Sequence, residues 1–175
     1  MGINAGVKHS PVVDAIDVGD YLVCFGRDVG DPLTNLKLQK LLYYAQGWFI
    51  AQNKRVLFGQ TLRAWVRGPV VYEVWNKYRS YRWRPIAGNI RKPRLPPESE
   101  AHLAFVINQY WNYSAYQLEK MTHEESPWIN ARRGISKDTP SSAPISIMDM
   151  HDHFSKLAHG RKATIPNSSS GRKMA

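Results

Sequence analysis

The chain has 175 residues, 43% of them hydrophobic, with a formal charge of +10 and a single cysteine, Cys24. That length suits one domain able to bury a core without covalent staples, and one thiol excludes an internal disulfide or a cysteine-based zinc site. No apolar run approaches the roughly 20 residues of a membrane span, and the first ten residues lack a signal peptide's apolar core, so the expectation is a soluble, cytoplasmic protein.

Taken in chain order, Ser10-Pro11 supplies an N-cap and a proline for a first helix, with Val12, Ala15, Ile16 and Gly19 on one face and Asp14, Asp17 and Asp20 outside it. It ends near Gly26 or Gly30, before the breaker Asp31-Pro32. Thr34 caps a stronger second helix to Gln52, whose stripe is Leu38, Leu41, Leu42, Ala45 and Phe49. Gly47 inside it costs about 1 kcal/mol relative to alanine, a cost that close approach of another element would justify. Val56–Phe58 and Thr61–Val66 read as short strands or extended segments around Gly59-Gln60. Gly68-Pro69 opens a third helix ending near Ser80, followed by an irregular linker, Arg84–Pro97. A fourth helix begins at Glu98, with Leu103, Val106, Ile107 and Tyr110 as its stripe. Ser114 and Gln117 form a capping box for a short fifth, and Ser126-Pro127-Trp128 opens a single turn. After the loop Gly134–Pro144, Ser146 caps a last helix carrying Ile147, Met150, Phe154 and Leu157. The fold class is therefore mainly α: a compact multi-helix single domain over 11–158 with a small β element near residues 56–67. Residues 1–10 read as a flexible N-terminus and 159–175 as a disordered basic tail with nothing to bury.

The charge is segregated. Residues 1–35 carry five acids and two bases, whereas residues 36–94 carry thirteen bases and only one acid, Glu73. Inside the basic segment lies Asn76–Pro85, "NKYRSYRWRP". Lys77 and Arg79 there complement a helix C-terminus, but Arg82, Trp83, Arg84, Arg91, Lys92 and Arg94 lie beyond the helix. Three readings stay open: a solvated basic loop, phosphate tracking with Trp83 or Tyr81 stacked on a base, or a hot spot for an acidic protein. No recognised nucleic-acid fold surrounds the run. Arg79, Tyr81, Arg82, Trp83, Arg84, Arg91 and Lys92 are the candidate partner-binding residues.

Other chemistry is sparse. In "DMHDH" (Asp149–His153) a helix sets Asp149 and His153 on one face, but His151 falls on the apolar stripe beside Phe154, so no metal set converges. His123-Glu124-Glu125 stands at a helix end, where capping and turn formation account for it. Neither a phosphate-binding glycine loop nor a nucleophile elbow is present. No catalytic residue, metal or cofactor is assigned, and the expectation is a protein without enzymatic activity.

Four ordered blocks carry a resemblance: "LTNLKLQKLLYYAQGW" (Leu33–Trp48), "AWVRGPVVYEVW" (Ala64–Trp75), "MTHEESPW" (Met121–Trp128) and "ISIMDMHDHF" (Ile145–Phe154). Together, over roughly residues 14–158, the chain resembles the Panacea domain family of SocA-type antitoxins and phage-associated GepA-like proteins. The resemblance implies a helical, non-enzymatic cytoplasmic domain that neutralises a cognate toxin by direct binding and, in one branch, presents it to a Clp-type protease. It departs from the family pattern at Tyr72, where a proline is frequent, and in the arginine-rich stretch after the third helix. With the family admitted, a protein-docking patch is favoured over nucleic acid.

Overall fold

The computed structural model describes residues 6–163. These form α1 (Ala15–Asp28), α2 (Asn35–Asn53), β1 (Leu62–Trp65), β2 (Gly68–Val71), α3 (Tyr72–Tyr78), a 3₁₀ turn (Arg79–Tyr81), α4 (Pro97–Tyr110), α5 (Ala115–His123), α6 (Ser126–Ala131) and α7 (Ile147–Ala163). The two strands pair antiparallel, with Leu62 opposite Val71 and Trp65 opposite Gly68.

α2 is the axis. Thr34 caps it, its hydroxyl accepting from the Lys37 amide. Every residue from Leu38 to Ile50 is buried, because α1, α3, α4, α5, α7 and β2 all pack on it. A helix covered on all sides must satisfy its polar side chains internally. The Gln39 carboxamide donates to Asn35 Oδ1 and accepts from the Val71 amide, while Asn35 donates to the Trp75 carbonyl. Gln46 accepts from the Leu57 and Phe58 amides and donates to the Phe58 carbonyl. Gly47 admits α7: a Cβ there would lie inside the Phe154 ring.

Gln46 holds the Leu57 and Phe58 amides and the Phe58 carbonyl, while the N-terminal segment takes Val56 N and Leu57 O, so Val56–Phe58 has few groups left for a ladder with the hairpin. The hairpin uses Gly68–Val71 instead, the stretch expected to open the third helix. Gly68 has φ +96°, outside the helical region, and β-branched Val70 and Val71 favour the pleat. Residues 143–145 extend the sheet edge, with Ala64 donating to Ala143 O and Ile145 to Leu62 O.

The first helix starts later than expected, capped by Asp14 on the Ile16 amide. Ser10–Val13 lie outside the helix, with the Val12 and Val13 amides both donating to Leu57 O. Residues 6–10, expected to be flexible, make contacts with the rest of the chain. Val7 is buried, and Lys8 exchanges backbone hydrogen bonds with Lys54 and Val56. At the other end α7 runs on to Ala163, so helix replaces the first residues of the expected tail; the rest of that tail, and residues 1–5, lie outside the described residues. The capping box at Ser114 and Gln117 is formed, as is the Ser146 cap of α7, which accepts from the Met148 and Asp149 amides.

Candidate functional site

The hairpin, α2, α3 and the loop at residues 140–142 enclose a groove with a cavity of about 730 Å³. Its walls are largely apolar. Trp65 meets Trp75 edge to face, centroids 4.9 Å apart, and Leu36, Val66 and Val70 fill between them. Trp83 stands at the rim with 68% of its surface exposed. The Arg67 guanidinium lies 4.7 Å from the Trp83 ring centroid and forks onto the Glu119 carboxylate, Nη2 to Oε2 at 2.9 Å.

Trp83 is presented by a tight turn. The Arg84 amide donates to Tyr81 O at 2.9 Å, and Arg82 between them has φ +54° and ψ −114°. That is the first central position of a type II′ turn, where glycine is the relaxed occupant. A non-glycine residue held there stores strain of about 1–3 kcal/mol, a condition that gathers at functional surfaces. Arg79 and Arg82 both line the groove, and among the described residues no carboxylate lies within ion-pair distance of either, or of Arg84.

The floor holds Lys40, wholly buried. Its ammonium donates to the Pro69 carbonyl at 3.1 Å, and Gly68 leaves room for it, since a Cβ there would come within 2.8 Å of Nζ. Burial drives its pKa down to about 7, with Glu119 opposing and Arg67 reinforcing the fall. The outer wall depends on Arg132, itself buried, which donates to the carbonyls of Ala64, Ser136 and Thr139 at 2.8, 2.7 and 2.6 Å. One guanidinium thus ties the loop that ends in Pro140–Ser142 to β1.

Of the residues singled out from sequence, Arg79, Arg82 and Trp83 converge on the groove, with exposed Arg84 next in the chain. Tyr81 instead donates its hydroxyl to Ala87 O, bracing the linker. Lys92 lies over the Tyr21 ring of α1 at 4.7 Å, and Arg91 is exposed beside it on the same strap. Sequence reasoning missed Lys40, Trp65, Arg67 and Trp75 as groove residues. A lysine flanked by Leu38, Leu41 and Leu42 was the available signal.

A second polar cluster joins α2, α6 and α7. Glu125 accepts from the Tyr43 and Tyr44 hydroxyls at 2.7 and 2.9 Å. His153 Nε2 stands 3.5 Å from the same carboxylate, and His153 Nδ1 stands 3.4 Å from Ser126 Oγ. The order serine, histidine, carboxylate has the outline of a triad, but both carboxylate oxygens already hold tyrosines. The groove and two smaller cavities, beside Phe58–Leu62 and beside Pro11–Asp14, do not touch Ser126 or His153. Burial and Glu125 raise both tyrosine pKa values well above the ordinary range. The cluster serves as an internal clamp on α7. His151 pairs with Asp152 at 3.2 Å, so "DMHDH" splits in two directions, and among the described residues no group of three metal-ligating side chains converges. Cys24 is buried and donates to Ile90 O. His123 stacks on Trp128 with centroids 4.3 Å apart, and burial lowers its pKa.

The family model for SocA-like antitoxins, Panacea domain, matches residues 38–129, more than half of the chain. The chain belongs to this family. The Panacea match begins in α2 and ends in α6, so it contains Lys40, the hairpin, Arg79 and Trp83 but not the loop wall or α7. Antitoxin SocA of Caulobacter vibrioides (strain NA1000 / CB15N) is 41% identical over 58 residues, which are 33% of this chain and 31% of that protein. The chain thus spans about a third of the length of this curated relative. No solved structure matches the Panacea chain. Among the described residues no helix is long and apolar enough to cross a membrane.

Proposed function

We propose that this Panacea-domain protein is an antitoxin that neutralises its cognate toxin by direct protein–protein binding, through the face that carries the groove, without catalysing a reaction. Family membership supports the antitoxin role. The observation that carries the choice of face is the pairing of an apolar concavity with Arg79 and Arg82, cations that have no carboxylate of their own among the described residues. A concave apolar centre ringed by polar groups is the anatomy of an interface hot spot. The proposed contact set is therefore Arg79, Arg82, Trp83 and Arg84. Tyr81 and Lys92 are set aside because both side chains are engaged within the chain, and Arg91 because it lies on the strap over α1.

The test is co-expression with the product of the adjoining gene, reading growth rescue and co-purification. Loss of both would remove the antitoxin reading. Blocking and delivery to a Clp-type protease differ in toxin level. A blocked toxin accumulates in a stable complex, whereas a delivered one disappears and returns when the protease is deleted.

A further inference from the structure

Resting on the antitoxin reading, we infer that the groove receives one kind of segment: an extended stretch of the toxin in which an aromatic or large aliphatic side chain is flanked by carboxylates. Three features of the site point to this chemistry. The cavity of about 730 Å³ lies within the roughly 300–1,000 Å³ range of sites that enclose a compact ligand, room for one large side chain and its neighbours. Its walls, Trp65, Trp75 and Val70, offer that side chain a largely apolar surface. The charged groups of its lining have one sign: among the described residues Arg79 and Arg82 have no ion-pair partner, Arg67 is held by Glu119 from outside the lining, and Lys40 lies beneath. An occupant that buries apolar area without bringing carboxylates would leave this field uncompensated.

The same features reject the other occupants. The chain's own end, residues 159–175, contains Arg161, Lys162, Arg172 and Lys173 and no acid, so it would add to the field. A second copy meeting this face symmetrically would bring the same cationic rim. Nucleic acid asks for exposed aromatic faces along a track. Here Trp65 and Trp75 are turned edge to face and Trp83 is covered on one side by Arg67. The strained Arg82 backbone adds an independent argument. Glycine would relax the turn, yet the position holds a cation at the groove rim.

The experiment uses the full chain and the toxin encoded beside it. A photo-reactive p-benzoylphenylalanine replaces Val66 at the groove, and the complex is irradiated and mapped by mass spectrometry. The expected cross-link is to a toxin peptide holding an aromatic or large aliphatic residue among aspartates and glutamates. Arg79→Glu with Arg82→Glu should then lower affinity by about tenfold or more, and reversing the mapped acids to lysine should restore it. Arg82→Gly, which relaxes the turn, should also weaken binding in a fully folded chain. Cross-links to the chain's own tail, to a second copy, to nucleic acid or to a basic toxin segment overturn the inference, as does charge reversal without effect on affinity. If the unsubstituted chain neutralises the toxin but the groove stays unlabelled, this inference falls alone. If it does not neutralise the toxin at all, the antitoxin reading falls and takes the inference with it.

Discussion

Replacing Lys40 with methionine should uncouple stability from alkaline pH. Methionine keeps the length of the buried stem and removes the ammonium. In the folded chain the lysine pKa falls from 10.5 to about 7 because burial outweighs the attraction of Glu119. Below about pH 7 both folded and unfolded chains hold the proton, and the burial penalty is present in full. Between about 7 and 10.5 the unfolded chain binds more protons than the folded one, so the free energy of unfolding rises with pH, by up to about 1.4 kcal/mol per unit. From about pH 6.5 to pH 9 the wild type therefore gains about 2–3 kcal/mol that the variant does not. The lost hydrogen bond to Pro69 O costs about 1–3 kcal/mol, but it enters at both pH values and cancels in the difference. The charged groups facing Lys40 are Glu119 and His123 of α5 and Arg67 of the hairpin turn. Burial lowers the His123 pKa, and both proteins carry that histidine, so it largely cancels in the subtraction. Urea unfolding of both proteins at the two pH values gives the number. Parallel stability–pH curves would refute the reasoning, since they would mean that the ammonium is hydrated or paired where the structure buries it.

Gly47→Ala should destabilise the fold by about 1–3 kcal/mol despite the helix propensity gained, because the new methyl meets the Phe154 ring; thermal melts should show partial recovery on adding Phe154→Leu. Arg82→Gly should raise stability by about 1 kcal/mol by relieving the turn while weakening the toxin complex, an opposite pair of effects read by denaturation and by titration. Arg132→Ala should cost about 3–5 kcal/mol through lost charge-assisted bonds, with faster amide exchange over residues 136–145; Arg132→Lys should not restore it, since an ammonium cannot span Ala64, Ser136 and Thr139 together. Toxin binding should take up protons near neutral pH as partner carboxylates raise the Lys40 pKa, so calorimetric enthalpies should differ between buffers of unlike ionisation heat.

What could be read in the sequence is what neighbouring residues decide among themselves. The Thr34 cap, the Ser114–Gln117 box and the Ser146 cap are bargains within three residues, and each is formed. Gly47 was legible as a close approach, though not as an approach by Phe154. The failures share one cause: a distant partner takes a hydrogen bond that local rules assign elsewhere. Leu57 O claims the amides of Val12 and Val13 and holds that segment against residues 56–58, while Asp14 takes the cap of α1. Gln46 claims Leu57 and Phe58, and Gln39 claims Val71, so the hairpin forms between Leu62 and Val71. Lys40 lies off the leucine stripe and by periodicity should face water. The hairpin and α5, some thirty to eighty residues later, close over it, and the groove floor therefore could not be seen from the helix that supplies it.

The segregation of charge along the chain has two meanings, and the structure separates them. Part of it is folding complementarity: α1 and the turn after it carry acids that answer bases of the following segment. Asp20 receives the Lys77 ammonium at 2.6 Å and also the Tyr78 hydroxyl, and Asp31 stands 3.8 Å from Lys37. Later acids take two more bases, Glu98 with Arg55 and Glu119 with Arg67. These pairs are partly exposed and each contributes on the order of 0–1 kcal/mol, so their role is to set register between elements and to quench a field. Among the described residues they leave several bases without a carboxylate, including Lys54, Arg63, Arg91 and Arg94, and one cluster of three borders the groove. Arg79, Arg82 and Arg84 follow one another around the end of α3, at the edge of the apolar groove, with no carboxylate within ion-pair distance among the described residues. A net charge of +10 spread evenly would have served solubility alone. Partly quenched by α1 and left open beside Trp83, it offers an approaching acidic segment a cationic cluster that also borders a hydrophobic surface to bury.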